Sequence, residues 1–105
     1  MPRRGHLYFS LLNEEPTIIK IGKTMDLEAE LKSLYKDSAD FTCFYVECGN
    51  IDDYLRRFNN CMKKNFVLKD PLNTRIYISN AEEIKPMLCT VVGAKKCLQF
   101  NKPKI

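Results

Sequence analysis

The sequence predicts an α+β domain, with a small, mostly antiparallel sheet flanked by about three helices. Three observations lead there. Residues 6–12 alternate and residues 17–22 are β-branched, on either side of a polar turn, as in a hairpin. Leu27, Leu31 and Leu34 fall at helical spacing, as do Tyr54, Leu55, Phe58, Cys61 and Met62. Strands and helices then follow in the order β-β-α-β-α-β-α.

In the first strand, Leu7, Phe9 and Leu11 share one face, and His6, Tyr8 and Ser10 the other. Asn13 to Pro16 is the turn. In the second strand Ile19 and Ile21 share a face, opposite Ile18, Lys20 and Gly22. Thr24 or Asp26 is placed to cap the first helix, which ends near Lys36. "KDSAD" reads as a loop and "FTCFYVEC", 41–48, as the third strand, which Gly49 breaks. Asn50 opens the clearest helix, to Phe66, with Asp52 and Asp53 in its first turn, where the helix dipole favours negative charge. "KDPLNT" reads as a loop and "RIYIS" as a short strand. Ser79 with Glu82, or Asn80 with Glu83, resembles a capping box for a third helix. Pro86 kinks that helix or fixes its start, and Gly93 is its stop.

The length, 105 residues, suits one domain, read as 1–93 with a basic C-terminal tail at 94–105. The tail is compatible with a short strand, a docked segment or no order. No apolar run approaches the roughly 20 residues of a membrane span, and no h-region follows the basic N-terminus. An intracellular protein without membrane contact is expected. The five cysteines form no C-x-x-C pair, so they are expected to be reduced and to pack as small hydrophobes.

The net charge of +4 is mild but unevenly distributed. Arg56, Arg57, Lys63 and Lys64 cluster on the middle helix, outside its apolar stripe, and Lys95, Lys96, Lys102 and Lys104 close the chain. Such clusters suit a polyanion. Gly22-Lys23-Thr24 is not a P-loop, because Thr17 stands where the upstream glycine belongs. His6, the only histidine, reads as a structural or exposed residue.

"GHLY", Gly5–Tyr8, and "KIGKT", Lys20–Thr24, followed by "DLEAELKSL", resemble the GIY-YIG nuclease domain. The branch they most resemble is common in phages and large DNA viruses. The resemblance covers most of the chain and fades towards Leu88. It implies metal-dependent hydrolysis of a DNA phosphodiester. Tyr8 matches the tyrosine of the first motif that helps to activate the nucleophile, and Lys20 and Gly22 match positions of the second motif. Two departures fall on the chemistry. The first-helix arginine that supports the phosphate is replaced by Glu30. The metal-binding glutamate has no counterpart, and Arg75 stands where this branch often carries an acid. No residue is therefore assigned to a metal, and no cofactor is expected.

The resemblance with these departures implies a catalytically degenerate domain. It would bind nucleic acid, DNA in the first place, through Lys23, Arg56, Arg57, Lys63, Lys64, Arg75, Lys95 and Lys96, with Tyr8, Lys20 and Glu30 as the vestigial or rearranged catalytic set. One alternative is a magnesium- or manganese-dependent endonuclease in which Glu30 becomes the metal ligand. Another is a viral protein-interaction module on the same fold, a homo-oligomer or a binder of another protein.

Overall fold

The computed structural model describes residues 3–12, 18–36, 41–70 and 72–101. Among them, β1 (Gly5–Leu12) and β2 (Ile18–Thr24) precede α1 (Leu27–Tyr35), β3 (Thr42–Cys48) and α2 (Ile51–Asn65). Then come β4 (Val67–Asp70), β5 (Asn73–Ile78), α3 (Ala81–Val92) and β6 (Leu98–Asn101). The strands form one sheet in the order β4-β5-β2-β1-β3-β6, and each neighbouring pair is antiparallel. The fold is the expected α+β class.

Strand alternation sorts the side chains into two cores. Leu7, Phe9, Ile19, Ile21, Phe44, Val46 and Tyr77 meet Ile51, Leu55, Phe58 and Met62 of α2 and Ile84 and Leu88 of α3. The opposite face is covered by α1. There Leu31, supported by Leu27 and Leu34, packs on Tyr8, Phe41 and Cys43. The sheet therefore separates α1 from α2 and α3. Across the larger core, the Tyr77 hydroxyl donates to Asn59 Oδ1 at 2.7 Å, tying β5 to α2.

The helix starts follow capping chemistry. Asp26 accepts from Ala29 N at 3.2 Å, Asn50 from Asp53 N at 3.2 Å, and Asn80 from Glu83 N at 3.0 Å. Of the two first-helix candidates, Asp26 is the cap, and Thr24 ends β2 while bonding the Asp26 backbone. Gly93 closes α3 in the left-handed region, φ 73°. Pro86 lies inside α3 and does not mark its start. Its missing N–H deprives the Glu82 carbonyl of a helical partner.

Two expectations are corrected. "KDPLNT" is not one loop, because Lys69–Asp70 end β4 and Asn73–Thr74 begin β5. The two strands form a tight hairpin with a register shift between Leu68 and Asp70. The second strand also runs on to Thr24, two residues beyond Gly22. Of the alternatives for the tail, a strand is found at Leu98–Asn101, paired with β3. The turn at 13–16, most of the loop at 36–40, and Lys102 and Lys104 lie outside the described residues.

Candidate functional site

The two motifs that carried the resemblance meet side by side. In the β1–β2 register Tyr8 faces Gly22 and Ser10 faces Lys20. The phenol of Tyr8 leans across Gly22 so closely that a Cβ there would stand 2.6 Å from Tyr8 Cζ. Glycine is needed at residue 22 for this close approach of a neighbouring ring.

From that position Tyr8 Oη donates to Glu30 Oε1 of α1 at 3.3 Å. Tyr8 is 4% exposed. Burial first, and then the charge and hydrogen bond of Glu30, push its phenol far above the ordinary tyrosine range. The positive charge of Arg75, on β5, pulls the other way. In the same small core, burial and Glu30 push the Cys43 thiol up to about 12. Lys20 is exposed on the face of the sheet that carries Tyr8, two residues along β2 from Gly22. The ring of His6 meets Tyr45 edge-on at 5.8 Å, and its Nδ1 is buried without a hydrogen-bond partner among the described residues. The fold therefore sets Tyr8, Lys20 and Glu30 on one face of the sheet, with Arg75 close enough for its charge to reach the phenol, and a neutral phenol held by a carboxylate.

Lys23 goes elsewhere. It pairs with Leu7 in the register, so it leaves the sheet on the α2 side. There it meets Asp52 in the first turn of α2. The same carboxylate takes Arg3 through two bonds, Nε to Oδ2 at 2.9 Å and Nη2 to Oδ1 at 2.5 Å. The Ile51 N–H donates to the Arg3 carbonyl at 3.0 Å, so the segment before β1 is docked on the start of α2. Hydrogen bonds from Arg3 and Lys23 hold the Asp52 carboxyl far below the usual carboxylate range.

The depressed value fixes the sign of a pH effect. The stabilisation is present above the unfolded carboxyl value of ~3.9. It is lost as pH falls through the lower folded value. Thermal unfolding at graded pH is expected to show an acid-side loss of stability that is smaller in Asp52→Asn. Identical acid limbs in the two proteins would count against this linkage.

A cationic surface lies on α2. At about 100° per residue, Arg56, Arg57, Asn60, Lys63 and Lys64 share one stripe about 120° wide. It lies diametrically opposite the stripe of Ile51, Leu55, Phe58 and Met62 that enters the core. Asp53 binds both arginines, Arg56 directly and Arg57 from Nε to Oδ2 at 3.0 Å. Arg57 also lies 5.4 Å from the centre of the Tyr54 ring. Lys63 and Lys64 make no ion pair among the described residues and sit in the last turn, where the dipole favours cations. Exposed pairs such as Arg56–Asp53 contribute only about 0–1 kcal/mol, so a phosphate can compete for the arginines.

The residues anticipated for nucleic-acid binding thus do not form one patch. Arg56, Arg57, Lys63 and Lys64 stand together on the outer face of α2, in the layer across the sheet from Tyr8. Arg75 is on β5, near the β4 edge, and Lys95 and Lys96 precede β6, the opposite edge. Sequence reasoning missed the role of Asp52 as the shared anchor of Arg3 and Lys23, for no local pattern links residues this far apart. The Asp53 contacts were readable from i, i+3 and i, i+4 spacing.

Among the described residues, no group of three or more His, Cys, Asp or Glu is placed to hold a metal ion. Nor is any helix there long and apolar enough to cross a membrane. No protein-family model, curated protein or solved structure matches this chain.

Proposed function

We propose that this chain is a GIY-YIG-like domain that no longer cuts and that binds nucleic acid inside the cell, DNA in the first place, through the outer face of α2. The observation that carries the reading is the Tyr8–Glu30 hydrogen bond. Phosphodiester hydrolysis on this fold needs cations facing the growing negative charge. Here the residue beside the tyrosine is a carboxylate. It repels a phosphate by about 1–4 kcal/mol at contact distance. The buried phenol, pushed far up by burial and by Glu30, stays protonated and is a poor activator of a nucleophile. The outer face of α2 supplies the opposite, with Lys63 and Lys64 exposed, and Arg56 and Arg57, also exposed, sharing the single carboxylate of Asp53. Contacts of that kind give salt-dependent affinity with little sequence preference.

The test is a fluorescence-anisotropy titration of labelled single- and double-stranded DNA at low salt, with and without manganese, followed by a denaturing gel. Binding that weakens with salt and leaves the DNA intact is the expected result. Metal-dependent nicking that disappears in Glu30→Gln would replace this reading with the rearranged endonuclease. Absence of both binding and cleavage would replace it with the protein-interaction module.

A further inference from the structure

The sheet ends in two edge strands of different chemistry. An edge presents unpaired N–H and C=O groups, and proteins ordinarily blunt it with charge, proline or a bulge. β4 has these devices. Its pairing shifts register between Leu68 and Asp70, Lys69 and Asp70 are charged, and Pro71 follows in the chain. β6 has none of them: Leu98–Asn101 holds no charge and no proline, and its pairing with β3 runs in regular register. Among the described residues β3 is its one sheet neighbour. In an antiparallel pair alternate residues turn their backbone groups away from the neighbour, so half of β6 offers donors and acceptors outward. Leu98 lies opposite Tyr45 and Phe100 opposite Cys43, on the face of the sheet that carries Tyr8. Phe100 packs on the small core under α1, whereas Leu98 is 52% exposed. The small core therefore reaches the edge and ends at a half-covered leucine. Lys95 and Lys96, just before the strand, are exposed and make no ion pair among the described residues.

We propose that β6 is a docking edge for an extended segment of another protein, added antiparallel as a further strand, with apolar side chains at alternate positions and acidic residues at its C-terminal end. The outward backbone groups of β6 supply main-chain hydrogen bonds, which tolerate many guest sequences. The antiparallel sense matches every other pair in the sheet and is the more stable per residue. Guest residues beside Leu98 and Phe100 fall on the α1 face, where apolar side chains cover Leu98 and extend the small core. Those between them fall on the opposite face, with Gln99 and Asn101, and are free to be polar. The C-terminal end of an antiparallel guest meets the start of β6, where Lys95 and Lys96 stand, so acids there are matched in charge. The same test disfavours a second copy as the occupant. Past Asn101 its chain continues into Lys102, Pro103 and Lys104, which would bring like charge towards Lys95 and Lys96. This edge is distinct from the outer face of α2, and the docking does not depend on nucleic-acid binding there.

The test uses the full chain and a pair of fluorescein-labelled synthetic peptides, each a short alternation of valine and threonine, one ending in glutamates and the other in lysines. In anisotropy titrations the glutamate peptide is expected to bind about tenfold more tightly, the swing that follows when exposed charge pairs turn from favourable to unfavourable. In Lys95→Glu/Lys96→Glu the preference is expected to reverse, with thermal unfolding little changed because both side chains are exposed. The glutamate peptide is expected to slow amide exchange in residues 98–101, and its N-methylated form, which cannot donate, is expected not to bind. No binding, equal binding of the two peptides, or protection of β4 in place of β6 would overturn the proposal. So would protection of β6 in a concentration-dependent dimer without peptide, which would make the occupant a second copy. Protection of β6 by duplex DNA would overturn it as well, by making this edge part of the nucleic-acid surface.

Discussion

Gly22→Ala is expected to destabilise the fold by about 1–3 kcal/mol, the usual range for forcing extra volume into a packed site. Space alone decides the sign. In a strand, replacing glycine by alanine ordinarily helps by about 0.5–1 kcal/mol, because glycine loses more freedom on folding. Here the new methyl would stand 2.6 Å from Tyr8 Cζ, and Tyr8 has nowhere to go. Its ring is buried against Leu31, Phe41 and Cys43, and its hydroxyl is held by Glu30. Moving the ring breaks that bond and opens the small core under α1. A double-mutant cycle isolates the cause. Tyr8→Ala alone is expected to cost about 3–5 kcal/mol, as for other buried aromatics. In that background Gly22→Ala should be neutral or slightly stabilising. Urea unfolding of the four proteins measures the coupling, and an equal cost of Gly22→Ala in both backgrounds would refute the ring-on-glycine contact.

The second large effect concerns binding. Changing Arg56, Arg57, Lys63 and Lys64 together to glutamine should lower the slope of log affinity against log salt by up to about four units. It should weaken binding evenly across DNA sequences. The lysines should contribute more than the arginines, because Asp53 already neutralises part of the arginine charge and must be displaced first. All four side chains lie outside the buried stripe of α2, so stability should change little. An unaltered salt slope would remove this face from the interface.

Much of the fold was legible because period and burial agree. Leu7, Phe9 and Leu11 against His6, Tyr8 and Ser10 set the two faces of β1. The spacing of Leu27, Leu31 and Leu34, and of Leu55, Phe58 and Met62, assigned the packed sides of α1 and α2. Asn50, Asn80 and Gly93 marked ends by chemistry that acts locally. β4 was hidden because its four residues directly follow the C-cap of α2, too few to show alternation, and are stabilised by pairing with β5. β6 was one of several readings for the same reason, since a strand of four residues is defined by its neighbour β3.

The site was legible only as a set of residues, not as an arrangement. Tyr8, Gly22 and Glu30 could be named, but that Glu30 would accept from Tyr8 depends on where α1 lies over the sheet. Lys20 could be placed on the face of Gly22 from the sequence, but Lys23, beyond the expected end of the strand, could not be given a face. Strand alternation sends Lys20 to the Tyr8 face and Lys23 to Asp52 on the other. With β2 continuing to Thr24, Lys23 falls within the regular register, and this fixes which way it points.

The most direct test of the proposed nucleic-acid interface is a titration of isotopically labelled protein with a short DNA duplex, followed by amide chemical shifts. The account predicts that the shifts concentrate along the outer face of α2, at Arg56, Arg57, Asn60, Lys63 and Lys64, while Tyr8, Gly22 and Glu30 stay still. Shifts centred on Tyr8, Gly22 and Glu30 with α2 unmoved would contradict it and return the chemistry to the face under α1.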